Sequence, residues 1–472
     1  MIMKEFDLIV RNGTVATGAD VMRCDIGVRG GRIVALAENL PTATTEINAE
    51  GLIVTPGGVD SHCHLDQPMS DGAQMADDFE SGTISAAFGG TTTIIPFACQ
   101  SRGQSLRSAV DDYHARAHGK PVIDYAFHMI ITDPTEKVLK EELPELIADG
   151  YTSFKIYMTY DDLKLSDIQI LETMATARRY GGMTMLHAEN AECIEWLTNQ
   201  LIAAGKTAPR YHADSRPPPV EREATHRAIT LAEIVGIPVL IVHVSSAEAM
   251  EQIQIAQAGG LNVLAETCPQ YLFLTAQDLN LEGFEGAKFV CSPPPRDTAT
   301  QEVIWRGLAN GVFQVFSSDH APFHFEGDKG KRLRGNDASF QHIPNGIPGL
   351  ETRMPLLFSE GVGKGRIDLT QFVALTATNA ARIYGLYPRK GSVAIGSDAD
   401  LAIWDPDRET VIRNANLHHN VDYTPYEGKV VNGWPKYTIS RGEVVCAEGK
   451  LMVHPGRGEF LPCAIPAQVM PS

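Results

Sequence analysis

From residue 57 onward, short apolar runs alternate with longer stretches in which apolar residues recur at three- and four-residue spacing. The short runs predict β-strands, and the longer stretches predict amphipathic helices. The predicted strands lie at 58–62, 92–96, 123–128, 153–157, 183–187, 239–243, 262–266 and 314–318. The clearest predicted helices between them lie at 101–117, 167–180, 190–204, 220–235 and 247–258.

This succession of strands and helices indicates a closed (β/α)8 barrel of the TIM type, which we place at residues 57–385. A last amphipathic helix is predicted at 367–384. An open parallel sheet with the same strands is the alternative. The open sheet is less favoured because no glycine-rich dinucleotide-binding turn follows any of the predicted strands.

Both ends of the chain are rich in short strands and tight turns. Near the start, the apolar run 6–10 is followed by Asn12-Gly13, a hairpin signal, and turns and strands also alternate across 390–404. We therefore predict one small β-sandwich domain built from residues 1–56 and 386–450, flanking the barrel. The Pro- and Gly-rich tail, 451–472, is predicted to be an extended arm, mobile or packed on a neighbouring subunit.

Composition excludes several classes of protein. The chain has 472 residues, 43% of them hydrophobic and 21% charged, as in ordinary globular proteins, and its net charge of −18 argues against a nucleic-acid partner. The sequence has no signal-peptide pattern and no apolar run long enough to span a membrane. Its eight cysteines form no Cys-x-x-Cys pair, so we expect reduced thiols and a cytoplasmic location.

Candidate chemistry lies where the predicted strands end. In Asp60-Ser-His-Cys-His64, the side chains of His62 and His64 point the same way if the segment is a strand, so they can chelate one metal. Further candidate ligands end later apolar runs: Lys155, His187, His243 and Asp319. In a (β/α)8 barrel these strand ends meet at the catalytic face. A lone His-x-His is weak evidence, but six candidates at strand ends favour a shared site.

Four histidines and one aspartate could hold two zinc ions, which need an anionic bridge between them because two close dications repel. A plain lysine cannot bridge, whereas Lys155 carboxylated by carbon dioxide offers two oxygens. On spacing alone, a surface or salt-bridged lysine is the simpler interpretation. Metal coordination lowers the pKa of water toward about 7. Asp319 could then take a proton from that water and pass it to a leaving nitrogen.

The combined motifs resemble those of the cyclic amidohydrolases, and more closely those of the dihydropyrimidinase/hydantoinase group. The motifs are Asp60-Ser-His-Cys-His64, Ser153-Phe-Lys-Ile-Tyr157, His187-Ala-Glu-Asn190, His243-Val-Ser245 and Ser318-Asp-His320. The resemblance implies His62, His64 and Asp319 on one zinc, His187 and His243 on the other, and N6-carboxylated Lys155 between them. Manganese or cobalt could replace zinc. It also implies a cytoplasmic homotetramer, with a homodimer as the alternative.

The resemblance extends to the substrate, a small cyclic ureide or imide. Tyr160 matches a tyrosine whose hydroxyl stabilises the oxyanion, and Ser292 and Asn345 match positions whose backbone groups bind the imide edge of the ring. Taken alone, their Pro-Pro and Asn-Gly segments are ordinary loop sequences. The implied reaction opens the C–N bond of a dihydropyrimidine or 5-substituted hydantoin and yields an N-carbamoyl amino acid.

The sequence also departs from the group's pattern. Cys63 stands where threonine is usual, and its side chain should point away from the metals. Asp66 stands where dihydroorotases carry an arginine for the substrate carboxylate, so its charge should repel such a substrate. An allantoinase or cyclic imidase remains the alternative within the same class. A non-catalytic dihydropyrimidinase-like scaffold is the distant alternative, and the retained ligand set argues against it.

Overall fold

The N-terminal segment forms short strands, as predicted. The structure is a computed structural model and describes residues 5–469. The strands before the barrel are β1 (Phe6–Ala16), β2 (Val21–Arg29), β3 (Arg32–Ala37), β4 (Ala43–Asn48) and β5 (Ile53–Pro56). The register between β1 and β2 shifts between Val10 and Gly13, next to Asn12, which has a φ of 61°. The predicted hairpin signal is therefore a bulge within β1, and the chain reverses later, at 17–20.

The barrel strands form a second sheet in which all pairs are parallel. They are β6 (Gly58–Cys63), β7 (Thr91–Cys99), β8 (Asp124–Tyr125), β9 (His128–Ile130), β10 (Ser153–Tyr157), β11 (Met183–His187), β12 (Val239–Ile241), β13 (Val263–Thr267) and β14 (Val315–Phe316). Their order is β14-β13-β12-β11-β10-β9-β7-β6, with β8 beside β7. The predicted third strand is thus two short pieces, and the predicted barrel architecture is confirmed.

Hydrogen bonds from backbone and side chains complete the barrel between its first and last strands. The backbone N–H of Ser318 donates to the Asp60 carboxylate at 3.2 Å, and the Ser318 hydroxyl donates to the carbonyl of His62 at 3.1 Å. The N–H of His64 donates to the carbonyl of His320 at 2.7 Å. The ends that carry the candidate ligands of the first and eighth strands are therefore bonded to each other directly.

Helices surround this sheet. They are α1 (Phe79–Phe88), α2 (Leu106–Ala117), α3 (Leu143–Ala148), α4 (Asp167–Tyr180), α5 (Ala191–Ala203), α6 (Tyr211–Ser215), α7 (Pro218–Val235), α8 (Ala247–Ala258), α9 (Gln270–Phe273), α10 (Thr298–Ala309), α11 (Arg353–Leu357), α12 (Leu369–Val373) and α13 (Asn379–Ile383). The helix predicted at 101–117 begins only at Leu106, because Ser105 caps it. The helix predicted at 367–384 is interrupted by a π-helical turn at Ala374–Thr378. Across residues 5–469, no helix combines the length and the apolar character needed to cross a bilayer.

Other short helical turns lie in the connections. The π-helical turns are Val138–Glu142 and Phe358–Val362, and the 3-10 helices are Asp278–Asn280, Glu285–Phe289, Phe340–His342, Asn414–Asn416 and Ala467–Val469. Those between β13 and α11 belong to long loops that cover the barrel's ligand-bearing end. Regular helices therefore pack around the barrel strands, whereas irregular loops with short helical turns enclose the site.

The chain then returns to the N-terminal sheet. The returning strands are β15 (Leu401–Val411), β16 (Val430–Ser440), β17 (Glu443–Ala447) and β18 (Lys450–Leu451). The sheet order is β18-β17-β16-β15-β5-β1-β2-β3, with β4 beside β1, and β15 pairs antiparallel with β5. Buried residues from both ends, such as Val10 and Ile403, share one hydrophobic cluster. The two ends of the chain thus make one β unit beside the barrel. The predicted boundaries of this unit, 1–56 and 386–450, stay a prediction.

A buried group of charges attaches this β unit to the barrel. Lys390, which is 0% exposed, lies 2.7 Å from the carboxylates of Asp124 on β8 and of Asp400, and 3.0 Å from Asp398. A buried ammonium is tolerated only with such partners. The ion pairs therefore fix the β unit against the end of the barrel opposite the candidate ligands.

The C-terminal tail lies along the chain's own barrel. The backbone N–H groups of Gly458, Leu461 and Cys463 donate to barrel carbonyls at 2.7–2.9 Å. Phe460 packs on aromatic rings of the barrel, including that of Tyr151 at 5.4 Å. Backbone and aromatic contacts therefore attach the tail to the barrel. The predicted arm stays a prediction. The end of the predicted arm, 470–472, lies outside the described residues.

Candidate active site

Three of the predicted ligands converge at the barrel mouth. His62 and His64 leave the end of β6, and Asp319 follows β14. Nε2 of His62 is 3.2 Å from Oδ1 of Asp319, and Nε2 of His64 is 3.6 Å from the same oxygen. One donor atom from each residue lies within 4.8 Å of the others, and all three side chains are buried. This arrangement matches the donor set expected for one cation.

Lys155 projects into the same place from β10. Its Nζ lies 3.1 Å from Nε2 of His62 and over the rings of Phe97 and Tyr157. The side chain is 0% exposed, so the alternative of a surface lysine is wrong. Burial lowers the pKa of Lys155 to about 8, although Asp319 and Glu266 oppose the shift. A lysine with a lowered pKa is the form that reacts as a neutral amine.

His187 and His243 complete the predicted group. Their ring centroids are 4.4 Å apart, and the His243 centroid is 5.4 Å from that of His62. Nε2 of His187 lies 2.7 Å from a carboxylate oxygen of Glu189, whereas Nδ1 of His243 is buried and finds no hydrogen-bond partner in the described part of the chain. Burial lowers the pKa of both imidazoles, so both are neutral and able to coordinate. An unpartnered buried nitrogen beside five other donors fits a metal site.

The backbone is strained at these positions. His243 has a φ of 39°, Asp319 a φ of 47° and Tyr160 a φ of 67°, all in the left-handed region that residues with a Cβ rarely adopt. Such conformations cost roughly 1–3 kcal/mol each and persist where the surroundings enforce them. Here they turn the side chains at the ends of barrel strands toward a shared centre.

A second layer of polar groups orients the imidazoles. Glu266 on β13 places Oε1 2.6 Å from Nδ1 of His62 and accepts the backbone N–H of His243 at 3.2 Å. Oε1 of Gln67 lies 2.7 Å from Nδ1 of His64. Partners of this kind fix the tautomer and ring orientation of a ligand histidine. No role was predicted for Glu266, Gln67 or Glu189, although Glu266 ends a predicted strand and Glu189 lies in the motif His187-Ala-Glu-Asn190.

The six predicted metal ligands line one cavity of about 650 Å³, together with the three predicted substrate-binding residues Tyr160, Ser292 and Asn345. The Asn345 side-chain amide donates to the Tyr160 hydroxyl at 3.2 Å. Burial raises the pKa of Tyr160, so the phenol stays protonated and can donate a hydrogen bond. The cavity therefore presents a hydroxyl donor and two loops opposite the cluster of histidines.

Comparison with known proteins identifies the family. The amidohydrolase family model matches residues 53–445. D-hydantoinases of Rhizobium radiobacter and Geobacillus stearothermophilus are 45% and 46% identical to this chain, and each alignment covers 96% of it and at least 96% of the relative. A solved D-hydantoinase structure superposes with a TM-score of 0.94 at 44% identity, covering 97% of this chain and 99% of the other.

This chain belongs to the amidohydrolase family. Within that family it groups with the hydantoinases, because the identity extends over nearly the whole of both chains. The predictions of a cyclic amidohydrolase and of the dihydropyrimidinase/hydantoinase group are confirmed. The family is metal-dependent, and the cluster of His62, His64 and Asp319 is a possible metal-binding group.

The loop after the second histidine of this amidohydrolase differs in part from expectation. The carboxylate of Asp66 lies 3.1 Å from Arg116 of α2, and Asp66 does not line the cavity. The predicted repulsion of a substrate carboxylate by Asp66 stays a prediction, which this pairing with Arg116 does not support. Cys63 lies in the hydrophobic core outside the cavity, in the direction predicted.

Two further histidines of the amidohydrolase barrel have structural roles. Nδ1 of His128 lies 2.5 Å from the Ser153 hydroxyl, and its Nε2 lies 3.0 Å from the carbonyl of Ser61. Nε2 of His320 lies 3.1 Å from the Asp77 carboxylate, and its Nδ1 accepts the N–H of Gly349. Because both ring nitrogens of each are engaged, neither is free to coordinate a metal.

Proposed function

We propose that this amidohydrolase opens the ring of a 5-substituted hydantoin or a dihydropyrimidine and releases an N-carbamoyl amino acid. The observation that carries the proposal is the convergence of His62, His64, Lys155 and Asp319, with His187 and His243 beside them, at one cavity. Similarity to D-hydantoinases at 44–46% identity, against 30% for an L-hydantoinase of Arthrobacter aurescens, supports a preference for the D enantiomer.

The donor set supports two divalent cations, with zinc favoured and manganese or cobalt as substitutes. His62, His64 and Asp319 would hold one, and His187 and His243 the other. Lys155 would hold both after its amine adds carbon dioxide, forming an N–C bond and releasing one proton. The lowered pKa of Lys155 supports this step, because only the neutral amine is nucleophilic. When bound, the metals supply a nucleophilic water at neutral pH and polarise a carbonyl.

The chain's own groups carry the remaining steps. Burial alone would raise the pKa of Asp319, but His62, His64 and Lys155 hold it below its ordinary value, so the carboxylate is ionised and ready to accept a proton. Asp319 would return that proton to the ring nitrogen as the C–N bond breaks. The Tyr160 hydroxyl would donate to the carbonyl oxygen as it gains negative charge.

The ring itself would be held by two loops. Ser292 and Asn345 line the cavity on segments that follow Cys291 and Pro344. Their backbone groups would bind the imide edge, which offers both N–H donors and carbonyl acceptors. This edge is common to hydantoins and dihydropyrimidines, so the loops would select the ring and leave the substituent to the outer cavity.

We also propose a cytoplasmic homotetramer, with a homodimer as the alternative. Large apolar side chains lie exposed on the outer helices, including Ile168, Trp196, Ile234 and Ile255. A second subunit packed on these helices would cover these side chains. The eight cysteines are all free, which supports a reducing compartment.

A substrate panel with metal analysis tests the proposed function. Purified enzyme loaded with zinc, manganese or cobalt would be given hydantoin, 5-phenylhydantoin, dihydrouracil, allantoin and succinimide, with product mass as the readout. We expect about two metals per chain and N-carbamoyl products from the first three rings. Turnover of allantoin or succinimide alone would instead favour the allantoinase or imidase alternative. Protein without metal or turnover would favour the scaffold.

The assignment of Lys155 has its own variant. Lys155→Met keeps the length of the side chain but cannot be carboxylated, so we expect it to lose metal and activity together. Lys364→Met, at an exposed lysine paired with Glu360, is the matched control and should behave as wild type. Native mass analysis of the intact protein at neutral pH should find the mass of one carbon dioxide per chain in the wild type and none in Lys155→Met. Full metal content in Lys155→Met would refute the bridging role.

A further inference from the structure

A second buried lysine lies behind the cavity wall. Lys331 is 0% exposed and belongs to the segment that follows β14 and covers the ligand-bearing end of the barrel. Its Nζ donates to the carbonyls of Val290 and Pro344, each at 2.7 Å. Within residues 5–469, no carboxylate lies within 4.0 Å of this amine, although buried lysines normally have such a partner.

The two carbonyls belong to the loops that carry the proposed substrate-binding residues. Val290 lies two residues before Ser292, and Pro344 directly precedes Asn345. The loops also touch each other, because the N–H of Gly346 donates to the same carbonyl of Val290 at 3.0 Å. Lys331 is therefore bonded to both loops at once, next to the residues that face the cavity.

The protonation of Lys331 agrees with this geometry. Burial lowers the pKa of Lys331 to about 7, with only the thiol of Cys291 opposing the shift. A neutral amine has two N–H groups, and the site offers two carbonyl acceptors. Both N–H groups are thus satisfied by the two carbonyls without a carboxylate as counter-ion. The absence of a carboxylate also avoids a negative charge that would repel the anionic N-carbamoyl product.

We propose that Lys331 is a positioning residue for ring binding, which sets the separation of the Ser292 and Asn345 loops by bridging the carbonyls of Val290 and Pro344. The proposal rests on the proposed function, because it assumes that these loops hold the ring. Lys331 itself does not line the cavity and acts on the ring only through these loops. Loss of the bridge should therefore weaken binding of substrate and transition state alike, which raises KM and leaves kcat nearly unchanged.

The test compares three variants with wild type in the metal-loaded enzyme. Lys331→Met keeps the side-chain length but removes both donors, so KM for hydantoin and dihydrouracil should rise about tenfold or more, since small misplacements of binding groups have effects of this size. Lys331→Arg keeps donors on a larger head and should raise KM by less. Lys329→Met, at an exposed lysine of the same segment, is the matched control. Metal content should equal that of wild type in all variants.

The outcomes separate this proposal from the proposed function. Wild-type turnover of neither ring would overturn both. With active wild type, an unchanged KM in Lys331→Met, or an equal loss of kcat with unchanged KM, would overturn the positioning role alone. If Lys331→Met fails to fold, Lys331→Arg decides. A raised KM with kcat and metal content preserved would support the role, and an unchanged KM would overturn it.

Discussion

Glu266 offers the most direct test of how the structure prepares the site for metal. It is 0% exposed, and Oε1 lies 2.6 Å from Nδ1 of His62 and accepts the N–H of His243 at 3.2 Å. One carboxylate thus orients two predicted ligands, one proposed for each metal. Replacing it with alanine should loosen both imidazoles without removing a ligand.

The magnitude follows from these contacts. Burial raises the pKa of Glu266 to about 8, so the value for a hydrogen bond between neutral groups applies, which is about 0.5–1.5 kcal/mol. Leaving the buried N–H of His62 unpaired carries a further penalty of about 1–3 kcal/mol. Each 1.4 kcal/mol is about a factor of ten in an equilibrium constant. We therefore expect Glu266→Ala to weaken metal binding about 10- to 100-fold, the range seen for outer partners of metal ligands. Glu266→Gln keeps an acceptor oxygen for Nδ1 of His62, so its loss should be smaller.

The assay is competition with a chelator of known affinity, read as metals per chain, with unfolding in urea as a check on folding. Glu302→Gln, at an exposed glutamate paired with Arg366, is the matched control and should bind metal as wild type does. Wild-type metal affinity in folded Glu266→Ala would refute the reasoning, because the structure provides no other carboxylate on Nδ1 of His62 among the described residues.

Three further predictions follow from individual contacts. Tyr160→Phe should lower kcat about 10²- to 10³-fold with a smaller change in KM, as for loss of one oxyanion donor, and unchanged steady-state kinetics would refute that role. Arg353→Met should lower the free energy of unfolding by about 3–5 kcal/mol in urea titrations, because it leaves the buried Asp60, 3.4 Å away, without its cation. Burial raises the pKa of Asp77, but the interactions with His320 and the hydrogen bonds from Asn420 and Ser81 together outweigh burial and hold the pKa below its ordinary value. The stabilisation by Asp77 is therefore full above about pH 4 and is lost as pH falls through the lower folded pKa. Asp77→Asn should destabilise the protein at pH 7 and much less at pH 3, and equal losses at both would contradict this.

Local sequence pattern was enough to predict the strands and helices and to place the site. The alternation of apolar runs indicated the barrel, and parallel strands in a barrel bring their C-terminal ends to one face. His62, Lys155, His187 and Asp319 could therefore be grouped although they are far apart in sequence. The strand predicted at 123–128 is instead the two short strands β8 and β9. A break within one apolar run leaves no periodic signal in the sequence, so it could not be predicted.

The resemblance to a known family supplied what spacing could not. Lys155 on spacing alone was more simply a surface lysine, and only its burial against His62 in the structure excludes that. The roles of Ser292 and Asn345 likewise came from matched motifs, because their segments are ordinary loop sequences. Asp66 shows the opposite case. The sequence gives a negative charge at this position, but only the structure shows that the side chain points to Arg116 and not into the cavity.

Tertiary structure alone decided which distant groups meet. Glu266 contacts His62, and Lys331 bridges two loops. Strand β5 pairs with β15, although all the strands of the barrel lie between them in the sequence. These contacts join residues far apart in the chain, and periodicity reports only neighbours within a few turns of helix or strand. The direction of a loop side chain depends on which buried partner satisfies it, and that partner is known only once the barrel has closed.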